Sequence, residues 1–210
     1  MPSPHDLMKW RQEAAANPLC THAALYSATL DEFSKKSFHE ASLNDILKNI
    51  RMNKGSFYYR FHDKLDLYLS LIEKIGRDKI AFFQSNNTPS VFPTDFYEQI
   101  RFMVENSIRF AKAEKRIYDF WKRFQQEDPV IRDTVKATFK ELSDSAIDIL
   151  VIEAQKKEQF DSSYTETFLI SLVRSMITQI DRLITPEMQD SEILSTIDEF
   201  VYFLKNGLMP

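Results

Sequence analysis

Apolar positions recur along this chain with the period of an amphipathic α-helix. One short stretch in the N-terminal third has apolar residues at i, i+3, i+4 and i+7, which places them on one helical face: Leu43, Ile46, Leu47 and Ile50. Longer stretches of the same period predict helices near residues 94–113, 115–126, 129–158, 163–184 and 190–205. We find no strand-like alternation, internal repeat or low-complexity segment. The pattern therefore predicts an all-α protein.

Polar and proline-bearing segments divide these helices into regions. We expect an N-terminal extension over residues 1–18, followed by a helix from about Leu19 to Lys35. The segment from Ser85 to Pro93 is rich in Asn, Thr, Pro and Ser and is the clearest loop in the chain. We therefore predict a small helical domain at 19–66, a linking helix at 63–84 and a larger C-terminal helical domain at 67–210.

Capping residues mark two short helices that are separated by a tight turn. Ser42 precedes the first short helix, Asn53 precedes a second that runs from Lys54 to about Phe61, and Asp63 precedes the linking helix. A longer helix followed by two short helices and a tight turn is the arrangement of a DNA-binding helix-turn-helix.

The second short helix has two different faces on a helical wheel. Phe57 and Phe61 share one side and are predicted to pack inward, whereas Gly55, Ser56 and Tyr59 lie roughly opposite. Small residues beside a phenol would let a helix sit deep in the major groove, where Tyr59 would reach a base edge or a thymine methyl group. The cations and phenols beside this face suit phosphate contacts: Lys54, Tyr58, Arg60 and Lys64.

Gly55 is open to two interpretations. Glycine inside a helix lowers the stability of the fold by about 0.5–1 kcal/mol relative to alanine, so its presence here needs an explanation. Close approach of a DNA backbone or base is one reason. Tolerance of glycine near a helix start, where the cost is smaller, is the other.

Composition narrows the class of protein. The chain has 210 residues, three glycines and a single cysteine, Cys20. Scarce glycine disfavours antiparallel sheets, and one cysteine excludes an intrachain disulfide framework or a cysteine-rich metal site. The first thirty residues hold no continuous apolar run, and no stretch reaches the roughly 20 apolar residues that span a bilayer. A cytoplasmic protein without a membrane partner is therefore expected.

Charge is distributed unevenly along the chain. The net charge is −4, yet residues 35–64 hold seven basic and three acidic side chains, which gives this region +4. A basic patch on an acidic body fits the electrostatic footprint of a DNA-binding protein, although a charge run is also what a solvated face looks like.

Motifs for catalysis or metal binding are absent from the sequence. The four histidines all lie in the N-terminal third and lack metal-ligand spacing: His5, His22, His39 and His62. The sequence contains no HExxH, no nucleophile elbow and no phosphate-binding glycine loop. We therefore predict that the chain is not an enzyme and uses no metal or cofactor.

The segment from Leu25 to Leu67 resembles the DNA-binding region of the TetR family of transcriptional regulators. Leu30–Phe38 is similar to the end of the family's first helix, Ser42–Ile46 to the start of its second, and Lys54–Phe61 to its recognition helix. The sequence departs from the family pattern at three positions. Ser37 and Arg51 stand where glycine is common, and Asn53 stands where Ser or Thr is usual.

The resemblance implies roles for individual residues. Base contacts are implied for four of them: Lys54, Gly55, Ser56 and Tyr59. Phosphate contacts are implied for another four: Asn44, Tyr58, Arg60 and Lys64. The resemblance also implies a helical C-terminal domain that binds a small effector and dimerises.

Two apolar stripes on the last two predicted helices suit such a dimer. The residues concerned are Leu169, Leu172, Val173, Ile177, Ile180, Ile193, Ile197, Phe200 and Val201. The family implies that these helices form a four-helix bundle with the same pair of a partner chain. The alternative is that both stripes only close the core of a monomer.

Aromatic residues crowd residues 92–124, either as core or as the wall of an apolar pocket. As ligand-binding candidates we take Asn106, Phe110, Trp121, Gln125, Arg174 and Met176, with an apolar or amphipathic small molecule as ligand. Together with the resemblance, the sequence thus implies a ligand-responsive regulator, a repressor that binds a palindromic double-stranded DNA operator as a homodimer. The alternative is a helical protein-interaction module that keeps the fold without specific DNA binding.

Overall fold

The computed structural model describes residues 7–86, 92–183 and 188–208 of the chain. Within these residues the side chains of 86, 141–146, 177–182 and 207–208 are not described. The described residues form helices and connecting segments without a strand, which confirms the predicted all-α class.

Eleven helices lie within the described residues. The N-terminal helices are Lys9–Gln12 (α1), Pro18–Thr21 (α2), Ala23–Lys35 (α3), Leu43–Asn49 (α4), Lys54–Tyr58 (α5) and Lys64–Asn86 (α6). The later helices are Phe96–Ala113 (α7), Lys115–Gln125 (α8), Pro129–Lys156 (α9), Glu166–Leu183 (α10) and Asp190–Leu208 (α11). The single helix predicted near 19–35 is two helices, because the backbone at His22 leaves the helical region and ends α2.

The chain divides into two compact units that differ from a linear division of the sequence. One unit comprises Met1–Phe82 with Ala111–Phe139, and the other comprises Phe83–Phe110 with Lys140–Pro210. The functional domain division predicted at residues 18 and 66 stays a prediction. The two packing units differ from the predicted domains because α8 packs with the N-terminal helices.

Polar contacts dock α8 on α3 within the first unit. Arg116 donates to the carbonyl oxygen and to Oγ of Ser27, at 3.2 and 2.9 Å, and Arg123 donates to the carbonyl oxygen of Lys35 at 3.1 Å. Beyond α8, the buried carboxylate of Glu127 accepts from the backbone N–H of Phe38 at 2.6 Å. These contacts fix the link between α3 and α4 from a part of the chain almost ninety residues away.

An aromatic cluster fills the space between these helices. The ring of Tyr68 lies 4.8 Å from Phe33, 5.3 Å from Phe38 and 5.7 Å from Phe120, measured between ring centroids. Burial of the Tyr68 hydroxyl raises its pKa, so the phenol stays neutral. The cluster joins α3, α6 and α8 through apolar contact and edge-to-face packing.

The predicted N-terminal extension is folded onto α6 from residue 7 onward. Met8 and Trp10 are buried, and the indole Nε1–H of Trp10 donates to Ser70 Oγ at 2.8 Å. The side chain of Asn17 caps α2 by accepting from the N–H of Leu19, and its amide donates to the carbonyl oxygen of Ser70 at 2.7 Å. Residues 7–22, which we call the N-terminal segment, are therefore part of the first unit.

The second unit has an apolar core of its own. Its buried residues come from α7, α9, α10, α11 and the segment between α9 and α10, and include Phe96, Tyr97, Val151, Phe160, Leu169, Val173, Phe200 and Leu204. Edge-to-face packing of Phe96 on Phe160, with ring centroids 5.0 Å apart, closes one end of this core. A hydrogen bond from the N–H of Phe96 to Gln159 Oε1 at 2.6 Å fixes the start of α7.

Candidate nucleic-acid interface

Helix α4 is capped and anchored as its sequence predicts. Ser42 Oγ accepts from the N–H of Asp45 at 3.2 Å, and Ile46 and Leu47 are buried. The turn that follows places Arg51 at φ 54°, in the left-handed region that glycine occupies most easily. The arginine therefore adopts the backbone conformation for which a glycine is common at this position.

Helix α5 presents one face inward and the other outward. Phe57 and Phe61 are both fully buried, and their rings stack with centroids 5.2 Å apart. On the outer side Tyr59 is 76% exposed and Gly55 is exposed, while Ser56 is partly exposed. The predicted orientation of this helix is confirmed.

The N-terminal end of α5 is closed by Asn53, whose Oδ1 accepts from the N–H of Ser56 at 2.7 Å. Gly55 has no positive φ, so its backbone conformation does not require glycine. A Cβ added at Gly55 would lie 3.3 Å from Asn53 Oδ1 and would otherwise meet open space. Within the folded chain, therefore, the close contact with the capping oxygen of Asn53 is the one contact that disfavours a side chain at this position.

The two cations that follow α5 already bind carbonyl groups of the chain. Arg60 Nη1 donates to the carbonyl oxygen of Ser56 at 2.7 Å, and its Nε donates to His22 Nε2 at 3.1 Å. Lys64 Nζ donates to the carbonyl oxygen of Ala41 at 2.9 Å and also contacts that of His39 at 3.3 Å. Burial lowers the pKa of Lys64. Both side chains thus stabilise the helix-turn-helix itself.

The remaining predicted DNA contacts lie at the surface. Lys54 is exposed at the start of α5, Tyr58 is 48% exposed at its end, and Asn44 is exposed in the first turn of α4. Together with Gly55, Ser56 and Tyr59, these residues form the outer surface of the helix-turn-helix.

One residue beside this surface was missed by the sequence reasoning. Lys9 Nζ donates to the carbonyl oxygen of Tyr58 at 2.8 Å and lies 5.9 Å from the centroid of the Tyr59 ring. The contact joins residues 49 positions apart, so no local periodicity or capping pattern signals it.

The predicted ligand-binding residues are distributed over both units. In the first unit, Trp121 packs on Phe120 and Phe124, and Gln125 is exposed. The other four lie in the second unit: Asn106, Phe110, Arg174 and Met176.

Some of these side chains in the second unit already have partners there. Asn106 is buried and donates to the carbonyl oxygen of Phe102 at 2.9 Å. Arg174 binds both carboxylate oxygens of Asp148, at 2.8 and 2.5 Å. Their assignment to a ligand stays a prediction.

Four of the predicted dimer residues are buried within the chain itself: Leu169, Val173, Ile197 and Phe200. Leu172 and Val201 are partly buried against the core of the second unit, and Ile193 is partly exposed. The side chains of Ile177 and Ile180 lie outside the described residues. Other apolar residues of α10 and α11 are exposed, with Tyr202 at 71% and Phe203 at 66%.

In the part of the chain that the structure describes, no helix combines the length and apolar character needed to cross a membrane. Among the same residues, no three His, Cys, Asp or Glu side chains come together in a group that could hold a metal ion.

The helix-turn-helix is similar to regions of known regulatory proteins. Residues 25–71 match the family model described as bacterial regulatory proteins, tetR family. A stretch of 70 residues is also 34% identical to the transcriptional regulator AcuR of Cereibacter sphaeroides, and it covers 33% of this chain and 32% of that protein. The match thus spans about a third of the length of that curated relative.

Solved structures of similar fold cover nearly the whole chain. A TetR family transcriptional regulator from Chloroflexus aurantiacus superposes with a TM-score of 0.59 at 21% identity, covering 90% of this chain and 93% of that chain. The transcriptional regulator FadR from Bacillus subtilis, solved in complex with stearoyl-CoA, gives 0.63 at 13% identity and covers 88% and 98%. These similarities establish the fold alone.

The space around Gly55 leads to a prediction about stability. We expect Gly55→Ala to change the free energy of unfolding by less than about 1 kcal/mol, because the gain in helix propensity is offset by contact with Asn53 Oδ1. Gly76→Ala is the matched control, since it lies in α6 with nothing within 4 Å of the added Cβ. It should stabilise by about 0.5–1 kcal/mol. Urea denaturation of the three proteins measures both effects, and a loss above 2 kcal/mol at Gly55 would contradict the prediction.

Proposed function

We propose that this chain is a transcription regulator that binds double-stranded DNA through the outer face of α5. The observation that carries the proposal is an exposed Gly55–Ser56–Tyr59 surface on a helix whose other face is fixed by Phe57 and Phe61. A helix held in this way can enter the major groove as a rigid body, with small residues leaving room for close approach. Its expected place of action is the cytoplasm.

Residue roles follow from position on this surface. We assign base contacts to Lys54, Gly55, Ser56 and Tyr59, and phosphate contacts to Asn44 and Tyr58. Arg60 and Lys64 are proposed as phosphate contacts as well, although each also donates to backbone carbonyls within the domain. Phosphate contacts fix the register of a protein on DNA, whereas base contacts carry sequence preference.

The role of Tyr59 is tested by comparing specific and random DNA. Tyr59→Ala should weaken binding to the preferred operator by about 5–100-fold and leave random duplex almost unchanged, because a good base contact is worth about 1–3 kcal/mol. Electrophoretic mobility shift with upstream DNA and a scrambled duplex measures the ratio. Equal losses on both duplexes would contradict the groove assignment. Absence of any salt-dependent binding by the wild type would favour a protein-interaction module instead.

Gly55→Ala provides a second arm of the same experiment. If DNA approaches this position closely, the added methyl group should reduce operator affinity even though the fold tolerates it. Gly76→Ala, which changes a helical glycine away from α5, should bind as the wild type does.

We further propose that the regulator acts as a homodimer, formed by α10 and α11, on a palindromic operator. Two-fold symmetry would set the two copies of α5 about one helical turn apart, roughly 34 Å, to meet two half-sites. The exposed aromatic residues of α11 support the proposal, because Tyr202 and Phe203 offer apolar surface that a partner would cover. Repression follows if the bound dimer excludes the transcription machinery.

The dimer is tested by placing charge on this surface. Phe203→Asp should raise the dissociation constant of the dimer by about tenfold or more, because burial of one large side chain is worth about 1.5–3 kcal/mol. Light scattering after size-exclusion chromatography at several concentrations measures the change. Val130→Asp is the matched control, since Val130 is 70% exposed, close to the 66% of Phe203, but lies on α9. A wild type that stays monomeric, or equal dissociation of both variants, would refute the assignment.

A small apolar or amphipathic effector is proposed to change the affinity for DNA. The fold similarity to FadR, which was solved with stearoyl-CoA, supports an acyl-type probe for the first experiment. Binding energy that differs between two arrangements of the dimer would shift operator affinity.

Thermal unfolding tests the effector directly. Stearoyl-CoA at about 100 times its dissociation constant should stabilise the protein by about 2.7 kcal/mol and raise its midpoint of unfolding by several degrees. Coenzyme A without the acyl chain is the control for headgroup binding. No shift with stearoyl-CoA, and no effect of it on operator binding, would count against this class of effector.

A further inference from the structure

The C-terminal end of α5 is stabilised by two cations that come from outside the helix. Lys9 Nζ donates to the carbonyl oxygen of Tyr58 at 2.8 Å, and Arg60 Nη1 donates to that of Ser56 at 2.7 Å. The last carbonyl groups of a helix lack partners within it and carry partial negative charge, so cations are favourable there. Because α5 has only five residues, contacts to two of its carbonyl groups stabilise a large part of the helix.

The N-terminal segment positions both cations. The backbone N–H of Lys9 donates to Asp66 Oδ2 at 3.1 Å, and the same oxygen accepts from the N–H of His62 at 2.8 Å. Lys9 and the turn after α5 are therefore held by one atom of α6. Arg60 is held from the same segment, because its Nε donates to His22 Nε2.

The ring of Tyr59 lies beside both of these cations. Lys9 Nζ is 5.9 Å from its centroid and Arg60 Cζ is 5.7 Å from it. Cations within about 6 Å of an aromatic centroid are attracted to the face of the ring. The exposed side chain of Tyr59, which directly follows α5, is thus oriented by charged groups that the N-terminal segment holds in place.

We propose that Lys9 is a positioning residue of the DNA-binding site that sets the sequence preference of Tyr59. It acts through the end of α5 and the orientation of the Tyr59 ring, and its ammonium group is directed to the Tyr58 carbonyl instead of a phosphate. The inference rests on the proposed DNA-binding function. It extends the binding site to a residue 45 positions before the helix that enters the groove.

Salt titration separates positioning from phosphate binding. Lys9→Met keeps much of the side-chain length and removes the charge. It should lower operator affinity about 5–10-fold, leave affinity for random duplex within twofold, and keep the slope of log K against log salt unchanged. Lys9→Arg should restore most of the specificity, because a guanidinium group also donates to a carbonyl and pairs with a ring. Lys115→Met, which removes an exposed lysine at the start of α8, is the control for loss of charge.

Hydrogen exchange without DNA provides an independent readout. The amides of Tyr59, Arg60 and Phe61 donate to carbonyl oxygens of Gly55 and Phe57 at 2.8–3.0 Å. In Lys9→Met these three amides should exchange several-fold faster than in the wild type, while Lys115→Met should leave them unchanged. Equal thermal midpoints of the two variants would show that the change is local to α5.

The outcomes distinguish the inference from the function on which it rests. A slope lowered by about 0.9, with equal weakening of operator and random duplex, would make Lys9 a phosphate contact and overturn the inference. Unchanged specificity together with unchanged exchange would overturn it as well. If the wild type prefers no duplex, the proposed function fails, and the exchange experiment alone then decides whether Lys9 positions the end of α5.

Discussion

The buried carboxylate of Asp66 is the interaction on which the helix-turn-helix depends. It is fully inaccessible and accepts hydrogen bonds from the N–H groups of Lys9 and His62 and from Ser70 Oγ. Burial raises the pKa of Asp66 against the hydrogen bonds that lower it. A desolvated carboxylate is tolerated because these donors satisfy it, so α6, the turn after α5 and the N-terminal segment are held in one arrangement.

This arrangement compensates for the shortness of α5. A helix of five residues is far below the length at which an isolated helix is stable in water, so tertiary contacts must define it. Asn53 closes its first turn, Phe57 packs beneath it, and Lys9 and Arg60 bind its last carbonyl groups. The outer face can therefore be small and polar without loss of shape.

Local sequence rules predicted the parts of the fold that short-range contacts determine. Ser42, Asn53 and Asp63 each accept from a backbone N–H three residues later, which a capping pattern specifies directly. Phe57 and Phe61 are buried because they share one side of the helix.

Other features depend on partners far away in the chain. The contacts of Lys9 with Tyr58 and of Glu127 with Phe38 join residues 49 and 89 positions apart, and nothing in the local pattern selects those pairs. An apolar stripe is likewise the same whether it faces the core of its own unit or a partner chain. The sequence pattern therefore makes Leu169 and Val173 candidates for a dimer interface, although both side chains are buried within one copy of the chain.

The Glu127 contact has a consequence for synthesis of the protein. The segment Ala111–Phe139 completes a unit that also contains Met1–Phe82, so a nascent chain that has emerged only to residue 110 lacks α8 and the Glu127 carboxylate. Tyr68 would then miss its Phe120 neighbour, and the N–H of Phe38 would remain open to water. The helix-turn-helix is thus translated before the segment that completes its packing, and it closes only after residue 127 has left the ribosome.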